Sequence, residues 1–151
     1  WSPSLPHLCV EKSLIDIVVQ FIGFNIGIYN QRLIIKDKLA LGAVPLHQDA
    51  PYHRGFWNKV ACFVALSACN EANGKLVFYK GSHKLGSLGD VGEVSRHVAE
   101  PFERYSPDLE PGDVVFMNPF LLHESGPKEP NAPARIMADI LYQPASDPST
   151  I

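Results

Sequence analysis

The stretch LEPGDVVFMNPFLLHESG (residues 109–126) predicts two short β-strands separated by tight turns. Pro111-Gly112-Asp113 is typical of a turn, and the apolar run that starts at Val114 is typical of a buried strand. Asn118-Pro119 indicates a second turn, after which a short strand delivers His123. Two turns this close together favour a fold of short strands, and they place a histidine at the end of one of them.

A second informative stretch is His47-Gln48-Asp49. Alternate side chains on a β-strand share a face, so His47 and Asp49 can face one metal ion while Gln48 points away or along the rim. With His123 they form the ligand set of the facial triad of non-haem iron(II) oxygenases. Such a set leaves the opposite face of the metal open for a chelating 2-oxo acid and for O2. The alternative is three isolated polar residues, because a lone His-x-Asp occurs by chance in many proteins.

Arg135 is expected on the strand that follows His123. A guanidinium group matches a carboxylate in bidentate geometry, so Arg135 is a candidate to bind a carboxylate of the co-substrate. The alternative is a surface arginine at the start of a strand. The apolar residues 136–138 indicate an interior position instead, where an unpaired charge would be costly.

Composition predicts a single, mostly β domain over residues 1–151. The chain has 13 prolines and 11 glycines, which divide it into short segments typical of an all-β sandwich or barrel with little helix. The pattern predicts one helix over residues 11–22, and a strand or hairpin over residues 25–36 with its turn at Asn30-Gln31. A loop over residues 38–44 is expected to lead to the strand that carries His47 and Asp49. Further strands are expected at these ranges: 60–67, 75–79, 114–117, 121–123 and 135–142.

Charge and hydropathy exclude several classes of protein. The net charge of −3 gives no basic surface, so we expect no nucleic-acid partner. No apolar run reaches the roughly 20 residues that span a bilayer, so we expect no membrane segment. Cys9, Cys62 and Cys69 form no Cys-x-x-Cys pair and are expected to be buried free thiols of a cytoplasmic protein. The oligomeric state is not encoded in these patterns.

Several blocks of the chain together resemble the phytanoyl-CoA dioxygenase family. They occur in family order, between about residue 36 and residue 143. The blocks are LHQDAPY (residues 46–52), NGKL (73–76), GSHK (81–84), LEPGD (109–113), HESG (123–126) and Arg135. The resemblance implies a double-stranded β-helix, which is a cupin-like jelly roll. It also implies a hydroxylase that uses Fe(II), 2-oxoglutarate and O2 on a small-molecule substrate, with release of succinate and CO2.

The resemblance also implies roles for residues beside the triad and Arg135. Ser125 lies where the family often has a hydroxyl that helps to bind 2-oxoglutarate; a simple turn residue is the alternative. Gln48 matches a position that contacts the co-substrate in the family; the alternative is a residue at the rim of the site that faces solvent. Phe63 lies near a position where some relatives carry a tryptophan over the co-substrate; the alternative is that Phe63 only packs in the core. Lys36 is a candidate for a second cation at the co-substrate site, besides Arg135.

His53 and Arg54, on the loop after the metal strand, are candidates to line the substrate mouth. Tyr52, Phe56 and Trp57 are candidates to contact substrate there; core packing is the alternative for these three aromatic residues. His83 is expected to be structural. Because halogenating relatives replace the carboxylate ligand with a small residue, Asp49 favours hydroxylation. The chain is shorter than most members of the family, whose N-terminal helical portion is expected to be largely absent here. Two alternatives remain. A metal-binding-only, cupin-like protein would be expected to carry more histidines close together and a glutamate, and an inactive module on the same fold would be expected to lack a ligand or Arg135.

Overall fold

The computed structural model describes residues 4–56, 58–89 and 92–149 of the chain. Within these ranges the helices are α1 (Ser4–Leu8) and α2 (Lys12–Ile22). The strands, in chain order, are β1 (Ile26–Lys36), β2 (Val44–His47), β3 (Val60–Ala65), β4 (Leu76–Tyr79), β5 (Arg104–Tyr105), β6 (Val114–Met117), β7 (His123–Ser125) and β8 (Arg135–Pro144). A short 3-10 turn, Ala50–Tyr52, directly follows β2.

The strands form two four-stranded antiparallel sheets, which pack face to face as in a jelly roll. One sheet has the order β1-β8-β3-β6 and the other has the order β2-β7-β4-β5. Inward-facing apolar side chains of both sheets share one core. Its buried members are Ala61, Phe63, Ala65, Cys69, Leu76, Phe78, Leu109, Met117, Met137 and Leu141.

The amphipathic helix α2 covers the outer face of the first sheet. Its buried residues Leu14, Val18 and Ile22 pack on the outward side chains of β3 and β8. These two central strands are therefore buried on both faces, and β3 is apolar throughout. The helix begins one residue after the predicted start and ends at Gly23, whose φ of 85° is easily reached only by glycine.

Of the strand or hairpin predicted over residues 25–36, the strand is confirmed, and the hairpin with its turn at Asn30-Gln31 is wrong. This segment is the single eleven-residue strand β1, which pairs with β8 from Ile26 opposite Pro144 to Lys36 opposite Arg135. A register irregularity between Ile28 and Asn30 is the only break in this pairing. The physical reason is the length of β8, whose backbone offers hydrogen-bonding partners on both sides of Asn30, so the chain continues straight where a turn was expected.

Other differences are smaller. The strand that carries His123 starts at that residue and not at residue 121, while α1 and the two-residue β5 were not predicted. The three cysteines are free and buried, as predicted. Among the residues that the structure describes, no helix combines the length and the apolar character needed to cross a bilayer.

A buried ion pair fixes the C-terminal segment to the start of β3. Lys59 Nζ lies 2.6 Å from Asp147 Oδ2 and donates a second hydrogen bond to Gln143, and both charged side chains are at most 1% exposed. The same Asp147 oxygen accepts a hydrogen bond from the Phe56 N–H. Gly55 permits this approach, because a Cβ there would lie 1.9 Å from Asp147 Oδ1.

An Asp147→Asn variant is expected to lose about 3 kcal/mol of unfolding free energy, since it leaves the Lys59 ammonium buried without its counter-charge. Urea denaturation followed by circular dichroism measures this loss. The matched control is Asp108→Asn, which removes an exposed ion pair with Lys75 and should cost less than about 1 kcal/mol. Equal losses in the two variants would show that the buried pair contributes nothing special.

Candidate metal centre

His47, Asp49 and His123 converge at one point between the two sheets. His47 ends β2 and lies directly opposite His123, the first residue of β7. The Asp49 carboxylate lies between the two rings, with Oδ1 3.5 Å from His47 Nε2 and Oδ2 3.7 Å from His123 Nε2. One ligand atom from each residue lies within 4.8 Å of the others. The structure therefore brings together the three residues that the sequence predicts as metal ligands.

The route by which Asp49 reaches this point differs from the prediction. Strand β2 ends at His47, so Asp49 does not share a strand face with it. Asp49 has helical dihedral angles (φ −79°, ψ −27°) and precedes the 3-10 turn Ala50–Tyr52, which Pro51 helps to start. The turn swings the carboxylate back toward His47, and convergence results from that turn and not from strand alternation.

Backbone carbonyls orient both imidazole rings. His47 Nδ1 lies 2.7 Å from the Pro45 carbonyl and His123 Nδ1 lies 3.0 Å from the Leu121 carbonyl. Since a carbonyl can only accept, each Nδ1 carries the hydrogen of a neutral ring, and each Nε2, which points at Asp49, keeps the lone pair that can bind a metal. A hydrogen bond from the ring nitrogen that does not bind the metal is typical of metal-binding histidines, because it fixes both the tautomer and the ring orientation.

The protonation states also suit a cation site. Burial lowers the pKa of His123 by more than the nearby Asp49 carboxylate raises it, which favours the neutral imidazole that binds metals. Burial raises the pKa of Asp49, but its contacts with the two histidines outweigh burial and keep the group ionised. For His47, burial lowers the pKa, yet Asp49 and the Pro45 carbonyl leave it raised, so a metal would displace a proton there.

A small cavity of about 130 Å³ runs from the three residues toward Arg135. Arg135 is 1% exposed, and no carboxylate among the described residues forms an ion pair with it. Its Nε has no hydrogen-bond partner, and neither has the buried Ser125 Oγ in the same cavity. Buried polar atoms without partners are rare in folded proteins, so this pair indicates a place for a bound anion.

Lys36 lies beside Arg135 and adds a second buried cation. The two residues are directly opposite each other on β1 and β8. Burial, and then the charge of Arg135, lower the pKa of Lys36 to about 8. Each cation donates to a glycine carbonyl, Lys36 to Gly126 and Arg135 to Gly74. Like charges opposite each other are destabilising, so an anion between them would stabilise the folded protein.

The other predicted co-substrate residues are placed differently. Phe63 is 3% exposed and both packs in the core and lines the small cavity, so the structure fits both of its interpretations. Gln48 is 2% exposed, so a solvent-facing position is wrong. Its amide donates to the Gly86 and Phe120 carbonyls and accepts from the Leu88 N–H. It does not line the small cavity, and its visible function is to hold two loops beside the metal ligands.

A larger cavity of about 460 Å³ opens on the other side of His47 and Asp49. His53 and Tyr52 line it, as expected for the substrate mouth, together with Arg32 and Asp139. Two further residues predicted at this mouth, Arg54 and Phe56, are exposed and do not line it. Trp57 lies outside the described residues. His83 lies in the 3-10 turn Ser82–Leu85, away from both cavities.

Sequence reasoning missed a buried network behind His123. Glu124 points to the opposite face of β7, where Arg96 donates to both of its carboxylate oxygens at 3.1 and 2.5 Å and the Tyr79 hydroxyl donates at 2.8 Å. Because Glu124 is only 9% exposed, these bonds fix the strand that carries His123. Alternation along β7 gives the side of Glu124, but nothing local in the sequence identifies Arg96 as its partner.

Comparisons with known proteins agree with this geometry. The sequence profile of the phytanoyl-CoA dioxygenase family (PhyH) matches residues 7–136. A methylphosphonate hydroxylase from Gimesia maris is 31% identical over 98 residues, which are 64% of this chain and 38% of the relative. A probable phytanoyl-CoA dioxygenase from Caenorhabditis elegans is 31% identical over 148 residues, 82% of this chain and 46% of the relative. The chain thus spans less than half the length of these two relatives.

Solved structures show the same fold at lower identity. The non-haem alpha-ketoglutarate-dependent epimerase SnoN superposes with a TM-score of 0.84 at 20% identity, over 99% of this chain and 63% of that chain. EctD from S. alaskensis superposes with a TM-score of 0.82 at 22% identity, over 97% of this chain and 55% of that chain. The predicted cupin-like jelly roll is confirmed. Because the family profile covers most of its length, the chain belongs to the phytanoyl-CoA dioxygenase family.

Proposed function

We propose that the chain is the catalytic domain of an Fe(II)- and 2-oxoglutarate-dependent dioxygenase that hydroxylates a small organic substrate and releases succinate and CO2. One observation carries the proposal: the buried His47–Asp49–His123 triad lies between a small cavity that holds an unpaired Arg135 and a larger open cavity. This arrangement provides one place each for a metal, an anionic co-substrate and a substrate. The names of the relatives, a hydroxylase and a dioxygenase, support the same reaction class.

His47, Asp49 and His123 would hold the iron. Two neutral imidazoles and one carboxylate match the donor set of non-haem iron(II) sites and leave other positions of the metal open. Bound iron(II) and 2-oxoglutarate would supply the O2 chemistry, which no side chain of the site can supply. The Pro45 and Leu121 carbonyls hold the two rings in the tautomer that this binding needs.

Arg135, Lys36 and Ser125 would hold the far carboxylate of 2-oxoglutarate. The Arg135 guanidinium offers an unpaired Nε–H, and the Ser125 hydroxyl beside it is also unpaired. An anion here would offset two buried like charges and satisfy two orphaned polar atoms in one step. The structure of SnoN in complex with Fe3+ and alpha ketoglutarate supports the choice of these two ligands.

The larger cavity would take the substrate, next to the metal ligands His47 and Asp49. Because the carboxylate ligand is present as Asp49, hydroxylation is favoured over halogenation. Three free, buried cysteines support a reducing compartment such as the cytoplasm as the place where the protein works.

The test is a discontinuous assay for succinate. With Fe(II), O2 and 2-oxoglutarate, the unaltered protein should form succinate above the rate without protein, even without a primary substrate, and His47→Ala should abolish this turnover. Calorimetry run in parallel shows whether metal and 2-oxoglutarate bind. Binding of both without any succinate would overturn the proposal and favour a metal-binding-only, cupin-like relative.

A further inference from the structure

The inner face of the β1–β8 ladder carries three cross-strand pairs in succession. Lys36 lies opposite Arg135, Ile34 opposite Met137 and Arg32 opposite Asp139. Because alternate residues on a strand share a face, all three pairs face the second sheet and the metal ligands on it. Arg135 lines the small cavity. The Arg32–Asp139 pair lies four residues further along each strand and lines the larger cavity, and Arg32 lines the small cavity as well.

The Arg32 guanidinium is held at one nitrogen and free at the other two. Its Nε donates to Asp139 Oδ2 at 2.7 Å, while its two terminal nitrogens make no hydrogen bond to any residue that the structure describes. The Arg32 side chain is 54% exposed, whereas Asp139 is shielded at 8%. A buried carboxylate thus fixes the orientation of a guanidinium whose remaining donors are available to the cavity.

We propose that Arg32 binds an oxyanion on the substrate, a carboxylate, phosphonate or phosphate group, and that Asp139 is its positioning residue. This inference rests on the proposed function, because it names what the larger cavity recognises. A guanidinium fixed at Nε presents its terminal N–H groups in the fork that matches two oxygens of such a group. An oxyanion at Arg32 lies near the metal ligands His47 and Asp49, which line the same cavity.

A second polar group in the cavity can serve an anionic group. His53 Nδ1 is buried without a hydrogen-bond partner, His53 lines the cavity with Arg32, and in the tautomer with the hydrogen on Nδ1 it can donate to an oxyanion. The opposite reading is a cationic substrate bound by Asp139. The Asp139 side chain is only 8% exposed, against 54% for Arg32, and one of its oxygens is already engaged by Arg32. The accessible charge in this part of the cavity is therefore positive.

The test measures binding of small probes to protein loaded with Zn(II) and 2-oxoglutarate, which does not turn over. Methylphosphonate and acetate are the anionic probes and methylammonium is the cationic probe, each followed by ligand-detected NMR. The unaltered protein should bind the anions and not the cation. Arg32→Gln should weaken anion binding at least about tenfold, and Arg32→Lys should fall between, because it keeps the charge without the fork. Arg54→Gln, a change outside the cavity, should bind like the unaltered protein.

Asp139→Asn tests the positioning role by a double-mutant cycle. It should weaken anion binding in the unaltered background and add no further loss to Arg32→Gln, whereas a general structural defect would weaken both alike. The NMR signals of 2-oxoglutarate report in each sample whether the co-substrate stays bound. If 2-oxoglutarate fails to bind, the proposed function fails. If it binds but the anions do not, or bind equally well to Arg32→Gln, or the cation binds instead, this inference alone is overturned.

Discussion

An Arg135→Met variant is expected to bind 2-oxoglutarate at least about 100-fold more weakly than the unaltered protein, while metal binding persists. The reason is that Arg135 is the buried guanidinium at the end of the small cavity and has no carboxylate partner among the described residues. Arg135→Lys should recover only part of the affinity, because an ammonium group keeps the charge but loses the bidentate fork. Calorimetry with the Zn(II)-loaded protein gives the dissociation constants.

The same variant separates binding from stability. Without 2-oxoglutarate, Arg135→Met removes one of two adjacent buried cations, so its unfolding free energy should stay within about 1 kcal/mol of the unaltered value. Addition of 2-oxoglutarate should raise the melting temperature of the unaltered protein and leave that of the variant unchanged. Arg104→Met, a change on the exposed strand β5, is the control. A variant that binds 2-oxoglutarate normally would remove Arg135 from the co-substrate site.

An Asp49→Asn variant is expected to lose Fe(II) binding by more than the roughly 100-fold that loss of an outer-shell partner costs. The substitution keeps the shape of the side chain but removes the negative charge that lies between the two histidine nitrogens. Competition with a coloured chelator under anaerobic conditions measures the affinity. Asp108→Asn, which changes an exposed carboxylate on a distant loop, should bind Fe(II) normally.

Loss of metal in Asp49→Asn has to be separated from loss of fold. The circular dichroism spectrum and the urea midpoint of metal-free Asp49→Asn should match those of the metal-free unaltered protein, because the asparagine amide can still accept hydrogen bonds. Unchanged Fe(II) affinity in a folded Asp49→Asn protein would mean that the metal, if any, is held elsewhere.

The sequence predicted the composition of the site better than its geometry. The His-x-Asp pair, His123 and Arg135 are recognisable because each stands in a local pattern: a turn, a short strand or an apolar run. The prediction that His47 and Asp49 converge was correct, but the reason given, strand alternation, was wrong. The 3-10 turn after Asp49 orients the carboxylate toward His47. Local turn chemistry at Pro51 was visible, but its effect on the direction of a carboxylate was not.

Features that depend on strand register could not be predicted from the sequence. Asn30-Gln31 has the composition of a turn, and only the length of β8 as a pairing partner keeps β1 extended through it. Two pairs, Lys36 with Arg135 and Arg32 with Asp139, join residues about 100 positions apart. Local periodicity of the sequence cannot predict such contacts. The Glu124–Arg96 contact, between residues 28 positions apart, is also non-local. Arg135 lines only the small cavity and Asp139 only the larger one, whereas Arg32 lines both.

The most direct test of an iron and 2-oxoglutarate site is an anaerobic titration of the unaltered protein with Fe(II) and then 2-oxoglutarate, followed in the visible spectrum. We expect a charge-transfer band that requires both ligands, saturates at equimolar 2-oxoglutarate, disappears in His47→Ala and is weakened in Arg135→Ala. A protein that binds Fe(II) and 2-oxoglutarate but shows no such band would contradict direct chelation at this centre, and with it the proposed dioxygenase.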